Sequence, residues 1–148
     1  MIIGGVAGGA STAARLRRLD EQAEIILFEK GEYISYANCG LPYYIGGVIE
    51  ERERLFVQTP ESFKARFNIE VRIKSEVKAI EPENKQVVIK DWATGKTYRE
   101  SFDKLVLSPG AEPVLPPWEG IRTEGIFTLR NVADTDRIKA WAGRQEVK

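Results

Sequence analysis

Cys39 is the one cysteine in a chain of 148 residues. It stands in Ser35-Tyr36-Ala37-Asn38-Cys39-Gly40-Leu41-Pro42-Tyr43-Tyr44, a short polar segment. A lone thiol closes no internal disulfide, so redox chemistry at this position needs an outside partner. No apolar periodicity runs through the segment, and a helix is expected to begin just after it. A helix amino terminus stabilises the thiolate, the nucleophilic form of the side chain. The competing reading is a small buried apolar residue with no chemistry. Histidine is absent. Ser-His-Asp and Cys-His mechanisms are thereby excluded, together with the commonest zinc ligand, and no metal site is expected.

A second group of residues suits phosphate. Apolar Ile2 and Ile3 lead into Gly4-Gly5-Val6-Ala7-Gly8-Gly9, and an alanine-rich helix follows through Leu19. The run Glu24-Ile25-Ile26-Leu27-Phe28-Glu29 then reads as a second strand ending in an acid. In such a βαβ start the glycines let the backbone turn tightly against a pyrophosphate, whose charge meets the helix dipole. Glu29 lies about 20 residues past the last glycine, the offset at which an acid accepts from an adenosine ribose hydroxyl. Gly4 and Gly9 fit the first and third glycines of G-x-G-x-x-G, but Val6 occupies the second. An ordinary strand-to-helix turn would also explain the glycines alone.

Two further features carry paired readings. Ser11, Arg15 and Arg18 fall at i, i+4 and i+7 of the first helix, so a hydroxyl and two guanidiniums share one face. Forked arginine donors suit phosphate, and a solvated helix face is the alternative. Ser108-Pro109-Gly110 ends the strand-like Asp103-Lys104-Leu105-Val106-Leu107. Ligands of open α/β sheets lie beyond the carboxyl ends of strands, which would bring Ser108 and Gly110 to the ligand of Gly4 and Gly9. A plain turn before the Pro113–Pro117 loop serves equally well.

The elements that must position these residues follow from pattern. Thr59-Pro60-Glu61-Ser62 supplies an N-cap, a proline in the first helical position and an acid in the first turn of a helix to Phe67. Ile69-Glu70-Val71-Arg72-Ile73 alternates as a half-buried strand. Segments 76–80, 86–90 and 97–102 form a meander with Thr94-Gly95-Lys96 as a hairpin turn. Asp103 to Leu107 is expected to be a buried strand, and Val132 to Ala142 a helix capped by Asn131. Lysine plus arginine and aspartate plus glutamate each number 22, which gives no nucleic-acid signal. No apolar run approaches the roughly 20 residues of a membrane span, so no membrane partner is expected. A signal-type amino terminus is missing and the cysteine is single, which point to the cytoplasm.

Together these residues resemble the coenzyme A-disulfide reductases, flavoproteins of the pyridine nucleotide-disulfide oxidoreductase group. The resemblance rests on Gly4 to Gly9, Arg15-Leu16-Arg17-Arg18-Leu19, Phe28-Glu29-Lys30 and Ser35 through Tyr43. It continues through Leu105 to Gly110 and Leu129-Arg130-Asn131 to Asp136. The family tolerates a residue other than glycine at the Val6 position, and Tyr36 replaces the phenylalanine of its Ser-Phe-x-Asn-Cys motif. The resemblance implies an α/β fold, with a Rossmann-like FAD-binding βαβ unit and an inserted antiparallel β-meander, truncated before the NAD(P)H-binding domain. Residues 1–111 would be the amino-terminal part of the FAD-binding domain, and 112–148 a connection toward the absent NAD(P)H domain.

By the same resemblance Cys39 is the redox-active nucleophile, with Asn38 beside it, and holds coenzyme A as a mixed disulfide. Electrons would pass from NAD(P)H through FAD to that disulfide. FAD would be held by Gly4, Gly9, Glu29, Lys30, Val77, Ser108, Gly110 and Arg130. Coenzyme A would be held by Ser11, Arg15, Arg18, Ser35 and Asn38. Phe67 stands near a position where some members carry a lysine. The implied substrate is a small-molecule thiol or disulfide, the complete enzyme a homodimer, and this fragment inactive alone. An NADH oxidase or peroxidase with a cysteine sulfenic acid, a persulfide reductase and a non-catalytic nucleotide-binding module stand as alternatives.

Overall fold

The structure is a computed structural model and describes residues 1–144. Residues 145–148, part of the expected connection 112–148, lie outside the described residues. The chain forms two compact units, Met1–Tyr36 with Phe56–Gly110, and Ala37–Leu55 with the segment from Ala111 onward.

The first unit is built on a parallel sheet. Strand β1 (Ile2–Ile3) lies between β2 (Ile26–Phe28) and β7 (Val106–Leu107), and β3 (Glu70–Arg72) completes the order β3-β2-β1-β7. Ile2 pairs with Leu27 and Val106, and Ile3 with Phe28 and Leu107. Successive side chains of a strand point to opposite faces. The residues of β2 and the preceding Ile25 accordingly divide between two cores. Ile25 and Leu27 pack with Ile2, Ala10, Ala13, Ile34, Phe63 and Ile69, whereas Ile26 and Phe28 pack with Val87 and Ile89.

Helix α1 (Ala7–Leu19) crosses between β1 and β2 and buries only small residues, Gly9, Ala10 and Ala13. Helix α3 (Pro60–Phe67) starts as its sequence dictates. The Thr59 side chain accepts from the Ser62 amide, the Ser62 hydroxyl reciprocates, and Pro60 holds the first turn. Asn68 ends it in the left-handed region at φ 48°.

The inserted meander comprises β4 (Ser75–Glu81), β5 (Gln86–Asp91) and β6 (Thr97–Ser101), all antiparallel. Val87 and Ile89 turn one face of β5 onto the second core, so the alternation in the sequence is the alternation of burial. One expectation fails at β7. Leu107 is 57% exposed, because β7 is the edge of its sheet and only Ile2 and Ile3 flank it.

The second unit contains a 3-10 turn at Asn38–Gly40 that runs into α2 (Leu41–Ile45), another 3-10 turn at Arg52–Leu55, and α4 (Val132–Ala142). Asn131 and Asp134 form a capping box at the start of α4, as Asn131 was expected to do. Leu41, Leu55 and Val132 are its buried hydrophobic side chains among the described residues. Arg52 pairs with Asp136 at 2.7 Å, and the Lys139 ammonium donates to the Tyr44 carbonyl at 2.7 Å.

Candidate functional site

The glycine-rich turn owes its shape to two positions. Gly4 has φ 95°, and a Cβ there would fall 2.0 Å from the Ser108 carbonyl oxygen. A Cβ on Gly9 would fall 1.7 Å from the Gly4 carbonyl oxygen, so α1 packs on the turn only without a side chain. Val6 takes the N-cap of α1 at φ −93° and ψ −121°, outside the regions an L residue commonly occupies. Its φ is negative, so valine stands there without entering the left-handed region that favours glycine. Helix α1 begins with no side-chain cap and no acid in its first turn. Its first N–H groups are left for a ligand or water, the arrangement that suits a pyrophosphate.

Glu29 does more than the expected ribose contact requires. One carboxylate oxygen accepts from the Gly5 amide at 2.8 Å and the other from the Gly31 amide at 2.7 Å. Its own amide donates to the Arg72 carbonyl at 2.9 Å. A carboxylate has about four acceptor positions, so two remain for hydroxyl donors. Beside it lies a cavity of about 200 Å³ lined by Ile3, Gly4, Phe28, Glu29, Lys30, Ser75, Glu76, Val77 and Pro109. The structure thus brings Gly4, Glu29, Lys30 and Val77 to one cavity. Burial pushes the Glu76 carboxyl up, but the Lys78 ammonium and the Trp92 indole N–H outweigh it and hold the group below its ordinary value.

Ser108 donates its amide to the Ile3 carbonyl at 2.8 Å and crowds Gly4 and Gly8. Gly110, at φ 75°, closes the first unit. Arg130 belongs to the second unit, where its guanidinium donates to the Ala111 carbonyl and its amide to Asp134.

A second cavity, of about 330 Å³, separates α1 from α3. Ala7, Ala10, Ser11 and Ala14 form one wall and Phe63 and Phe67 the other, with Ser35, Tyr36, Val57 and Gln58 completing the lining. Ser11, Arg15 and Arg18 are all exposed, and only Ser11 reaches the cavity itself. Arg15 and Arg18 form no hydrogen bond or ion pair among the described residues.

Sequence reasoning named Ser35 and missed its geometry. Ser35 sits in the left-handed region at φ 46°, fixed by its amide on the Gly5 carbonyl at 2.9 Å and its carbonyl on the Val57 amide at 2.8 Å. Serine gives no signal for that conformation, unlike asparagine or glycine. Val57, Gln58 and Phe63 were also missed as lining residues.

In the second unit Cys39 occupies the middle of the Asn38–Gly40 turn, and both Cys39 and Asn38 are exposed. Cys39 is therefore not the small buried residue of the competing reading. Gly40 is buried, and a Cβ there would lie 3.2 Å from Leu55 and 3.4 Å from Ile49, so glycine lets the turn pack down while the thiol faces outward. Among the described residues no helix is long and apolar enough to cross a membrane, and no acid, cysteine and histidine cluster could hold a metal.

The arrangement has known counterparts. The family model described as pyridine nucleotide-disulphide oxidoreductase matches residues 1–147. The chain belongs to this family. It is 44% identical over 147 residues to the coenzyme A disulfide reductase of Staphylococcus aureus (strain JH9), covering 99% of this chain and 33% of that protein. Against the crystal structure of reduced Bacillus anthracis CoADR-RHD the TM-score is 0.95 at 58% identity, over 98% of this chain and 26% of the other. A NAD-dependent persulfide reductase from A. fulgidus follows the same fold, with TM-score 0.87 and 37% identity over 95% of this chain and 26% of that one. The chain therefore spans about a third of the length of the curated relatives it matches.

Proposed function

We propose that this chain is the flavin-binding and thiol-bearing part of an FAD-dependent oxidoreductase that reduces coenzyme A disulfide, or a related coenzyme A thiol substrate, with NAD(P)H. The observation that carries the reading is Cys39, a single exposed thiol presented on a tight turn by a buried glycine. FAD fits the residues present, because the uncapped start of α1 and the Glu29 cavity offer amide donors and a hydroxyl acceptor where a dinucleotide needs them. Gly4, Gly9, Glu29, Lys30, Val77, Ser108, Gly110 and Arg130 would hold it. When bound, FAD supplies two-electron transfer between nicotinamide and sulfur.

The chain's own part begins with the Cys39 thiolate attacking one sulfur of coenzyme A disulfide. One sulfur–sulfur bond forms and one breaks, a coenzyme A thiolate leaves, and the other half stays on Cys39 as a mixed disulfide. Ser11, Arg15, Arg18, Ser35 and Asn38 would hold the coenzyme, with Asn38 next to the reacting sulfur. Residues 1–111 read as the amino-terminal part of the FAD-binding domain and 112–148 as a connection toward the NAD(P)H domain. A cytoplasmic homodimer is the proposed setting of the complete enzyme.

The test is the intact mass of the reduced chain after incubation with coenzyme A disulfide under non-reducing conditions. One adduct of coenzyme A mass is expected, removed by reductant and missing in Cys39→Ser. A chain that stays bare, yet gains oxygen from peroxide, would transfer the reading to the oxidase and peroxidase branch. A reductant-sensitive gain of a single sulfur atom from a persulfide donor, with no coenzyme adduct, would favour persulfide reduction.

A further inference from the structure

Arg17 has no part in the roles above, yet it makes more hydrogen bonds to backbone carbonyls than any other arginine among the described residues. Its Nε donates to the Phe67 carbonyl at 2.8 Å and its Nη2 to the Asn68 carbonyl at 3.0 Å. Its Nη1 donates to the Glu21 carbonyl at 2.7 Å and the Asp20 carbonyl at 3.3 Å. Helix carboxyl ends leave carbonyls without intrahelical partners, and one planar fork here serves those just beyond α1 and those ending α3. Ala10, Ala14 and Arg17 follow one another at i, i+4 and i+7, so they lie on one face of α1. Ala10 and Ala14 line the 330 Å³ cavity, and Phe67, whose carbonyl Arg17 holds, lines it from α3. The Phe67 ring stands edge-on to Phe63 with centroids 5.4 Å apart.

We propose that Arg17 is a positioning residue that sets the width of the cavity between α1 and α3, and with it the affinity for the body of a coenzyme A-type ligand. The small residues of α1 set how closely the helices can approach, and the Arg17 fork sets how far apart their carboxyl ends stand. Two phenylalanine side chains opposite a wall of alanine and serine suit a flat or extended ligand that carries polar groups along one side. A displacement of Phe67 by an ångström opens that wall, and losses of such fit reach about a hundredfold in favourable cases. The inference rests on the coenzyme A reading of the preceding section.

The experiment follows mixed-disulfide formation in the reduced chain under saturating kinetics, with coenzyme A disulfide and with cystamine, a small disulfide that lacks the coenzyme body. For Arg17→Leu the half-saturating concentration of coenzyme A disulfide is expected to rise about tenfold or more, with the limiting rate and the cystamine rate within about twofold. Arg17→Lys, which keeps a cation but loses the fork, is expected to fall between the two. A thermal melt accompanies each variant, and if Arg17→Leu does not fold, Arg17→Lys decides alone. Unchanged half-saturation in a folded variant overturns the role of Arg17 and leaves the coenzyme reading standing. An unaltered chain that reacts with coenzyme A disulfide without saturation, no faster than with cystamine, overturns the coenzyme reading and this inference with it.

Discussion

At the scale of single residues, Glu29 shows how a side chain proposed to meet a ligand also shapes the protein. Its two oxygens tie the Gly5 and Gly31 amides, which belong to the glycine-rich turn and to the exit of β2. Glu29→Gln keeps one acceptor oxygen but turns an amide group toward the second N–H, leaving a partly buried donor unpaired. Such losses cost about 1–3 kcal/mol. Chemical denaturation is expected to show a loss of that size, and an unchanged midpoint would mean the two amide contacts carry no stability. The position of Glu29 was legible from its spacing to Gly9, as was the tight turn, whereas Val6 read locally as a departure from the glycine pattern. Its backbone partners were not legible, because hydrogen bonds to amides depend on the path of the chain and leave no mark on residue type. The same holds for Ser35, whose left-handed conformation is imposed by Gly5 and Val57.

Local rules governed the elements most faithfully where caps and turns are written in the sequence. The helices opened by Thr59 and Asn131 start and stop as their residues dictate, and the Thr94-Gly95-Lys96 turn closes its hairpin. The strand after Asp103 was misjudged as buried because an apolar run cannot tell a central strand from an edge one. The hairpin turn offers a test of its own. Asp91 receives the Thr94 hydroxyl and the Ala93 and Thr94 amides. The Thr94 hydroxyl is the largest influence holding its carboxyl below the ordinary value. A depressed folded value means the stabilisation is present above the unfolded-state pKa and is lost as pH falls through the folded one. Thr94→Ala is therefore expected to raise the Asp91 titration midpoint toward the ordinary value and to weaken the turn's stabilisation at neutral pH. A carbon-13 NMR titration of the Asp91 carboxyl reads this directly, and an unmoved midpoint would remove the hydroxyl from the explanation.

For the whole molecule the decisive fact is the unequal size of the two cores. The first unit buries Ile2, Leu27, Phe28, Phe63, Ile69, Val87 and Ile89 at 2% exposure or less, whereas the described part of the second has Leu41, Leu55 and Val132. Polar contacts hold much of that second unit, notably Arg52 with Asp136 and Lys139 with Tyr44, across separations of 84 and 95 residues. Pairings this distant carry no sequence signal, so which segments share a core could not be read from the chain. Surface ion pairs contribute about 0–1 kcal/mol each, far less than a buried aromatic or aliphatic side chain. Proteins open in cooperative pieces whose stability follows their buried apolar contacts. Hydrogen exchange is therefore expected to find the amides of α2 and α4 opening together, with protection at least about tenfold below that of β1 and β2. Asp136→Asn should lower protection in α2 and α4 in common while leaving β1 and β2 unchanged. Equal protection across all four elements would mean that the chain unfolds as one piece. The expected pattern would place the exposed Cys39 thiol on the piece of the molecule that opens most readily, with the glycine-rich turn and Glu29 on the piece that opens least.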